Sequence, residues 1–160
     1  MKKVYNFINL SIEYLMVSIF AILVIDVLAQ VFARHLFSNS PSFTEELARY
    51  ALIWLSILGM AYLSGKREHL TMNFLYRKLT IASRIRVFIS IELMIILFAA
   101  MVMVIGGGNL VMITWTLDQV SPALHLPLGM IYSIVPLSGL LIIYYAIYNI
   151  LTGNKNENEK

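Results

Sequence analysis

From Tyr50 to Gly65 the chain carries no charged residue, yet charges crowd both ends of that stretch: Glu45, Glu46 and Arg49 before it, Lys66, Arg67, Glu68 and His69 after it. At about 1.5 Å of rise per helical residue, the unit that starts near Phe43 reaches across a hydrocarbon core of roughly 30 Å. The pattern predicts a transmembrane helix with an acidic mouth and a basic foot. With 59% hydrophobic and 13% charged residues, the 160-residue chain has too little polar surface for an ordinary soluble domain.

Three further apolar runs, about 8–37, 87–117 and 126–151, join the one at 43–65. Each ends in charged or turn-forming residues, which predicts an all-α integral membrane protein with four transmembrane helices and a short tail over 152–160. This is a single membrane domain, without room for a catalytic one. Asn39-Ser40-Pro41-Ser42 separates the first two helices, and Asp118 to Pro127, with two prolines, separates the last two. Short connections make each pair antiparallel neighbours.

Charge sets the orientation. Lys2, Lys3, Lys66, Arg67, Arg77, Lys78, Arg84, Arg86, Lys155 and Lys160 are ten of the twelve basic residues, and all fall on one side of a four-span chain. By the positive-inside rule that side is the cytoplasm, so both termini are cytoplasmic. The net charge of +3 thus follows from topology, and nucleic acid is not expected as a partner. Between the second and third helices, residues 66–84 are too polar to span. Met72, Leu75, Tyr76 and Leu79 share a helical face against Asn73, Arg77 and Thr80, as in an amphipathic helix lying on phospholipid headgroups. The alternative is a solvated basic loop that only fixes topology.

Met1-Lys2-Lys3 before an apolar run imitates a signal peptide, with Val27-Leu28-Ala29 as a cleavage-like site. Glu13 and Asp26 interrupt that run and it continues to Phe37, so a retained anchor helix is expected. The chain has no cysteine, which excludes disulfide and thiol chemistry.

Charge inside hydrocarbon is costly unless paired, so intramembrane polar residues are the candidates for function. Asp26 lies in the outer half of the first helix with Gln30 one turn on, and Arg49 lies in the second helix within helical reach of Glu45 and Glu46. Asp26 could be an ion or proton site; pairing with Arg49, or with another subunit, is the simpler reading. His35, His69 and His125 sit at helix ends without metal-ligand spacing, so neither metal nor haem is expected. Trp54, Trp115 and the nine tyrosines fit anchoring and packing roles. Gly106-Gly107-Gly108, Ala61 with Gly65, and Gly129 with Ser133 offer small surfaces for close helix contact. An inverted repeat, a pair of broken helices or a mid-depth polar cluster would point to a transport site, and the sequence has none of these patterns.

The run Glu45-Glu46-Leu47-Ala48-Arg49-Tyr50, then Trp54, Leu58-Gly59 and a basic exit with His69 and Leu70-Thr71-Met72-Asn73, resembles the small membrane subunit of tripartite ATP-independent periplasmic (TRAP) transporters. Leu126-Pro127-Leu128-Gly129, Tyr132 and Pro136-Leu137 resemble the start of that family's fourth helix. The similarity covers roughly residues 1–152. Family members commonly have glycine before the histidine, where this chain has Glu68, and aspartate at the position of Asn73.

The resemblance implies a non-enzymatic subunit beside a large membrane subunit that performs sodium-coupled uptake, fed by a periplasmic binding protein. No cofactor is implied; the sodium belongs to the large subunit. Dicarboxylates, sialic acid and other sugar acids are the family's substrates. Glu45 and Glu46 would then present negative charge to the docking binding protein, Asp26 and Arg49 would be structural, and Lys66, Arg67, His69, Arg77, Lys78, Arg84 and Arg86 would form the cytoplasmic interfacial group. Rival readings are a stand-alone small multidrug exporter using Glu13 and a structural subunit of another membrane complex. The first is weakened because Glu13 lies near the end of its helix.

Overall fold

The computed structural model describes residues 2–37, 42–66 and 81–156. The expected interfacial helix falls almost wholly in 67–80, outside the described residues, as does the end of the tail. Among the described residues the architecture is all-α. The order is α1 (Lys2–Phe37), α2 (Ser42–Gly65), α3 (Ile81–Phe98), a π-helical segment (Ala99–Gly106), α4 (Gly107–Thr116), α5 (Leu128–Tyr132) and α6 (Ile134–Asn156). Four helical stretches are long and apolar enough to cross a membrane: Lys3–Leu36, Ser42–Gly65, Ile85–Thr116 and Leu128–Leu151. These coincide with the four apolar runs to within a few residues.

Two compact units are present, one of Met1–Met60 with Asn109–Ile134 and the other of Ala61–Gly108 with Val135–Lys160. In the first, α4 ends in a Schellman motif: Asp118 N–H donates to Trp115 O at 3.2 Å and Gln119 N–H to Thr114 O at 3.1 Å. Asp118 occupies the left-handed position usual for glycine, with φ 45°, which a short polar side chain tolerates better than a branched one. The connection then closes on itself. Ser121 N–H donates to Leu126 O, Leu128 N–H donates to Gln119 O, and Val120 bridges Pro127 in antiparallel fashion.

The fourth span is broken at Ser133, between α5 and α6, and Pro136 follows within the first turn of α6. Proline has no N–H to give and its ring crowds the carbonyl four residues back, so a break here has a chemical cause. Gly129 in α5 makes a close approach to α4, since a β-carbon there would come within 3.0 Å of the Trp115 ring.

In the second unit the core is built on small residues. Ala61, Ala99, Ser138, Tyr145 and Ala146 are wholly buried. A β-carbon on Gly139 would lie 2.8 Å from Met103 Cβ and 3.4 Å from Ala99 O, and one on Gly107 would lie 2.8 Å from Val135 Cγ1. The π-helical segment therefore packs closely against α6 at Gly139, where the missing side chain makes room. Gly65 lies flat on the Tyr145 ring, where a β-carbon would meet the ring at 2.9 Å. Asn149 Nδ2 donates to Ser64 O at 3.3 Å, tying α6 to the last turn of α2.

Candidate functional site

The charged and polar residues at the entry to α2 divide between two faces of that helix. Because successive residues are about 100° apart around a helix, Glu45 and Glu46 point in different directions. Glu46, Tyr50, Trp54 and Leu58 recur at the four-residue spacing of one stripe, and Leu58 is buried. Glu45, Arg49, Leu52 and Ser56 form another stripe, and all are exposed.

Glu46 is buried, at 7% exposure. Its Oε1 accepts the Tyr50 hydroxyl at 2.8 Å, and its Oε2 accepts the backbone N–H groups of Ala123 and Leu124, each at 2.9 Å. Ser121 Oγ, wholly buried, stands beside these oxygens without hydrogen-bond geometry. A carboxylate accepting two adjacent amides and a phenol is a strong, directional anchor for the turn between α4 and α5. Glu46 is thereby committed to its own chain, in contrast to the outward-facing role expected for it. No local pattern signals this, because the donors are main-chain groups 77 and 78 residues away.

Glu45 keeps its expected exposure, and its Oε1 lies 3.6 Å from Arg34 Nη2. Both side chains are more than half exposed, so this ion pair contributes little energy. Asp26 is buried at 8% exposure and takes its hydrogen bond from Gln30 Nε2 at 2.8 Å, one helical turn away. The same Gln30 Nε2 lies 3.0 Å from Thr44 O in the first turn of α2. Asp26 therefore orients Gln30, and Gln30 clasps α2. No ion pair joins Asp26 to Arg49 among the described residues, so the expected pairing is replaced by an Asp26–Gln30–Thr44 relay. Arg49 sits on the exposed stripe instead.

Further along the inward stripe, Trp54 Nε1 donates to Ile131 O at 3.0 Å, meeting α5 next to its break. Past the end of α2, Lys66 Nζ lies 4.6 Å from the centre of the Tyr62 ring, in a cation–π contact. Arg86 is exposed. Arg67, His69, Arg77 and Lys78 lie outside the described residues, and so does the Arg84 side chain. Two residues of the second unit escaped the sequence reading as buried polar positions: Asn149, which is bonded to Ser64, and Glu92, which is 1% exposed. Nothing in the local sequence around Glu92 marks its burial.

Residues 22–156 match the family of tripartite ATP-independent periplasmic transporters, DctQ component. A TRAP transporter small permease protein of Haemophilus influenzae is 30% identical over 143 residues, which cover 89% of this chain and 86% of that protein. The family consists of transporter subunits, not enzymes. Four apolar helices of spanning length and a match that runs from the first helix to the last together establish that this chain belongs to the DctQ-component family of TRAP transporter small membrane subunits.

Proposed function

We propose that the chain is the scaffold subunit of a sodium-coupled, binding-protein-dependent importer of an organic acid, such as a sialic acid, another sugar acid or a dicarboxylate. It stabilises a large membrane subunit that carries the solute and the sodium, and Glu45 presents negative charge to the periplasmic binding protein. It lies in the bacterial inner membrane with both termini in the cytoplasm, and the turn between α4 and α5 faces the periplasm.

The observation that carries this reading is where the buried and half-buried polar side chains direct their hydrogen bonds. Glu46 binds the Ala123 and Leu124 amides, Gln30 reaches the Thr44 carbonyl, Trp54 the Ile131 carbonyl and Asn149 the Ser64 carbonyl. Each fixes this chain's own backbone, which suits a rigid support better than a solute path. The test is reconstitution in liposomes under a sodium gradient. Uptake is expected only when the large subunit and binding protein are present. Solute uptake or drug efflux by this chain alone would sink the proposal.

A further inference from the structure

Arg49 lies about 10 Å along α2 from Ser42, inside the span. It lines a groove with Leu52, Ile53, Ser56 and Ile57, and Arg49, Leu52 and Ser56 along it are exposed. Among the described residues Arg49 makes no ion pair or hydrogen bond, and Ser56, near mid-span, makes no hydrogen bond. A guanidinium at this depth is costly unless an anion meets it. A phospholipid phosphate could be reached if Arg49 extended toward the membrane surface, but the acyl chain beneath it would offer Ser56 nothing. A packed helix meets both requirements: a carboxylate for the planar guanidinium, and close approach with a hydrogen bond at the small serine.

We propose that this face of α2 is where the large membrane subunit packs, and that the partner sets a carboxylate opposite Arg49. The inference rests on the scaffold reading given above and adds the contact face and its chemistry. Arg49 and Ser56 thereby become interface residues, while the Glu46 stripe on the other side of the same helix holds the subunit's own fold.

Because the chain lacks cysteine, a benzophenone probe can be attached to single cysteines in the intact two-subunit complex. The positions are Leu52→Cys and Ser56→Cys on the proposed face, with Phe20→Cys on α1 and Met112→Cys on α4 as exposed apolar controls. Irradiation should yield an adduct with the mass of both subunits from Leu52 and Ser56, and little from the controls. In parallel, Arg49→Glu should lower the copurified large subunit by about tenfold or more, whereas Arg49→Lys should retain most of it. Adducts with the large subunit from Phe20 or Met112 alone, or only phospholipid adducts from Leu52 and Ser56, would overturn the assignment of this face while leaving the scaffold reading intact. Failure of the unsubstituted chain to copurify with the large subunit would overturn both.

Discussion

The indole N–H of Trp54 in α2 donates to the carbonyl oxygen of Ile131 in α5, 3.0 Å away across 77 residues of sequence. The acceptor stands two residues before the break at Ser133, where regular helical pairing stops. An aromatic donor on one helix thus holds another within one turn of its break.

Trp54→Phe keeps an aromatic ring and removes the donor. A loss of about 0.5–1.5 kcal/mol is expected, seen as a lower midpoint when the detergent-solubilised subunit is heated and its remaining folded fraction measured by size exclusion. Trp54→Ala should cost more than Trp54→Phe, because it also removes the packing of the ring. If Phe and Trp melt together, the bond contributes nothing.

Glu46→Ala should release the turn between α4 and α5. Hydrogen exchange read by mass spectrometry should find the Ala123 and Leu124 amides exchanging about tenfold faster or more, as expected on loss of a charge-assisted bond, while Trp54 and its surroundings change little. Tyr50→Phe should have a smaller effect, since both amides keep their acceptor. Unchanged exchange in Glu46→Ala would remove the anchor role. Glu45→Lys, by contrast, should leave exchange and complex assembly near normal and reduce binding-protein-dependent uptake, most visibly at low salt.

Gly107 and Gly108 are neighbours with opposite expected responses. A β-carbon on Gly107 meets Val135 Cγ1 at 2.8 Å and Pro136 Cδ at 3.2 Å, while one on Gly108 meets nothing within 4 Å. Gly107→Ala should therefore destabilise by about 1–3 kcal/mol through overpacking. Gly108→Ala should be neutral, or stabilise by up to about 1 kcal/mol through helix propensity. Thermal midpoints of the two variants measured side by side decide it, and a reversed order would contradict the packing described.

Topology is open to a labelling test, because every cysteine in the chain would be an introduced one. Gln119→Cys, in the exposed turn after α4, should react with a membrane-impermeant maleimide added to intact spheroplasts, and Lys66→Cys should react only after lysis. The opposite pattern would invert the orientation derived from the basic residues.

What the sequence disclosed follows the range of the forces involved. Runs of apolar residues specify spanning helices locally, so the four spans were legible to within a few residues. The Asp26 to Gln30 spacing was visible too, being a single helical turn. Glu46 was not legible as an anchor, because adjacent glutamates look alike in sequence and only their 100° separation around α2, set against a distant turn, tells them apart. Asp26 and Arg49 illustrate the same limit: similar depth along two helices does not set which way each side chain faces, and Arg49 turns to the stripe opposite the one α2 buries. The break at Ser133 had a visible cause in Pro136, whereas the π-helical segment at Ala99–Gly106 carries no local signature beyond small residues at and after its ends.

The anchor at Glu46 also imposes an order on biogenesis. When the ribosome has delivered Glu46, the amides of Ala123 and Leu124 do not yet exist; at typical elongation rates the 78 residues to Leu124 take about 4 to 16 s. During that interval the Glu46 carboxylate lacks the two amides that bind it in the finished fold. A chain that stops before the last turn therefore leaves Glu46 without the two amide donors that hold it in the finished fold.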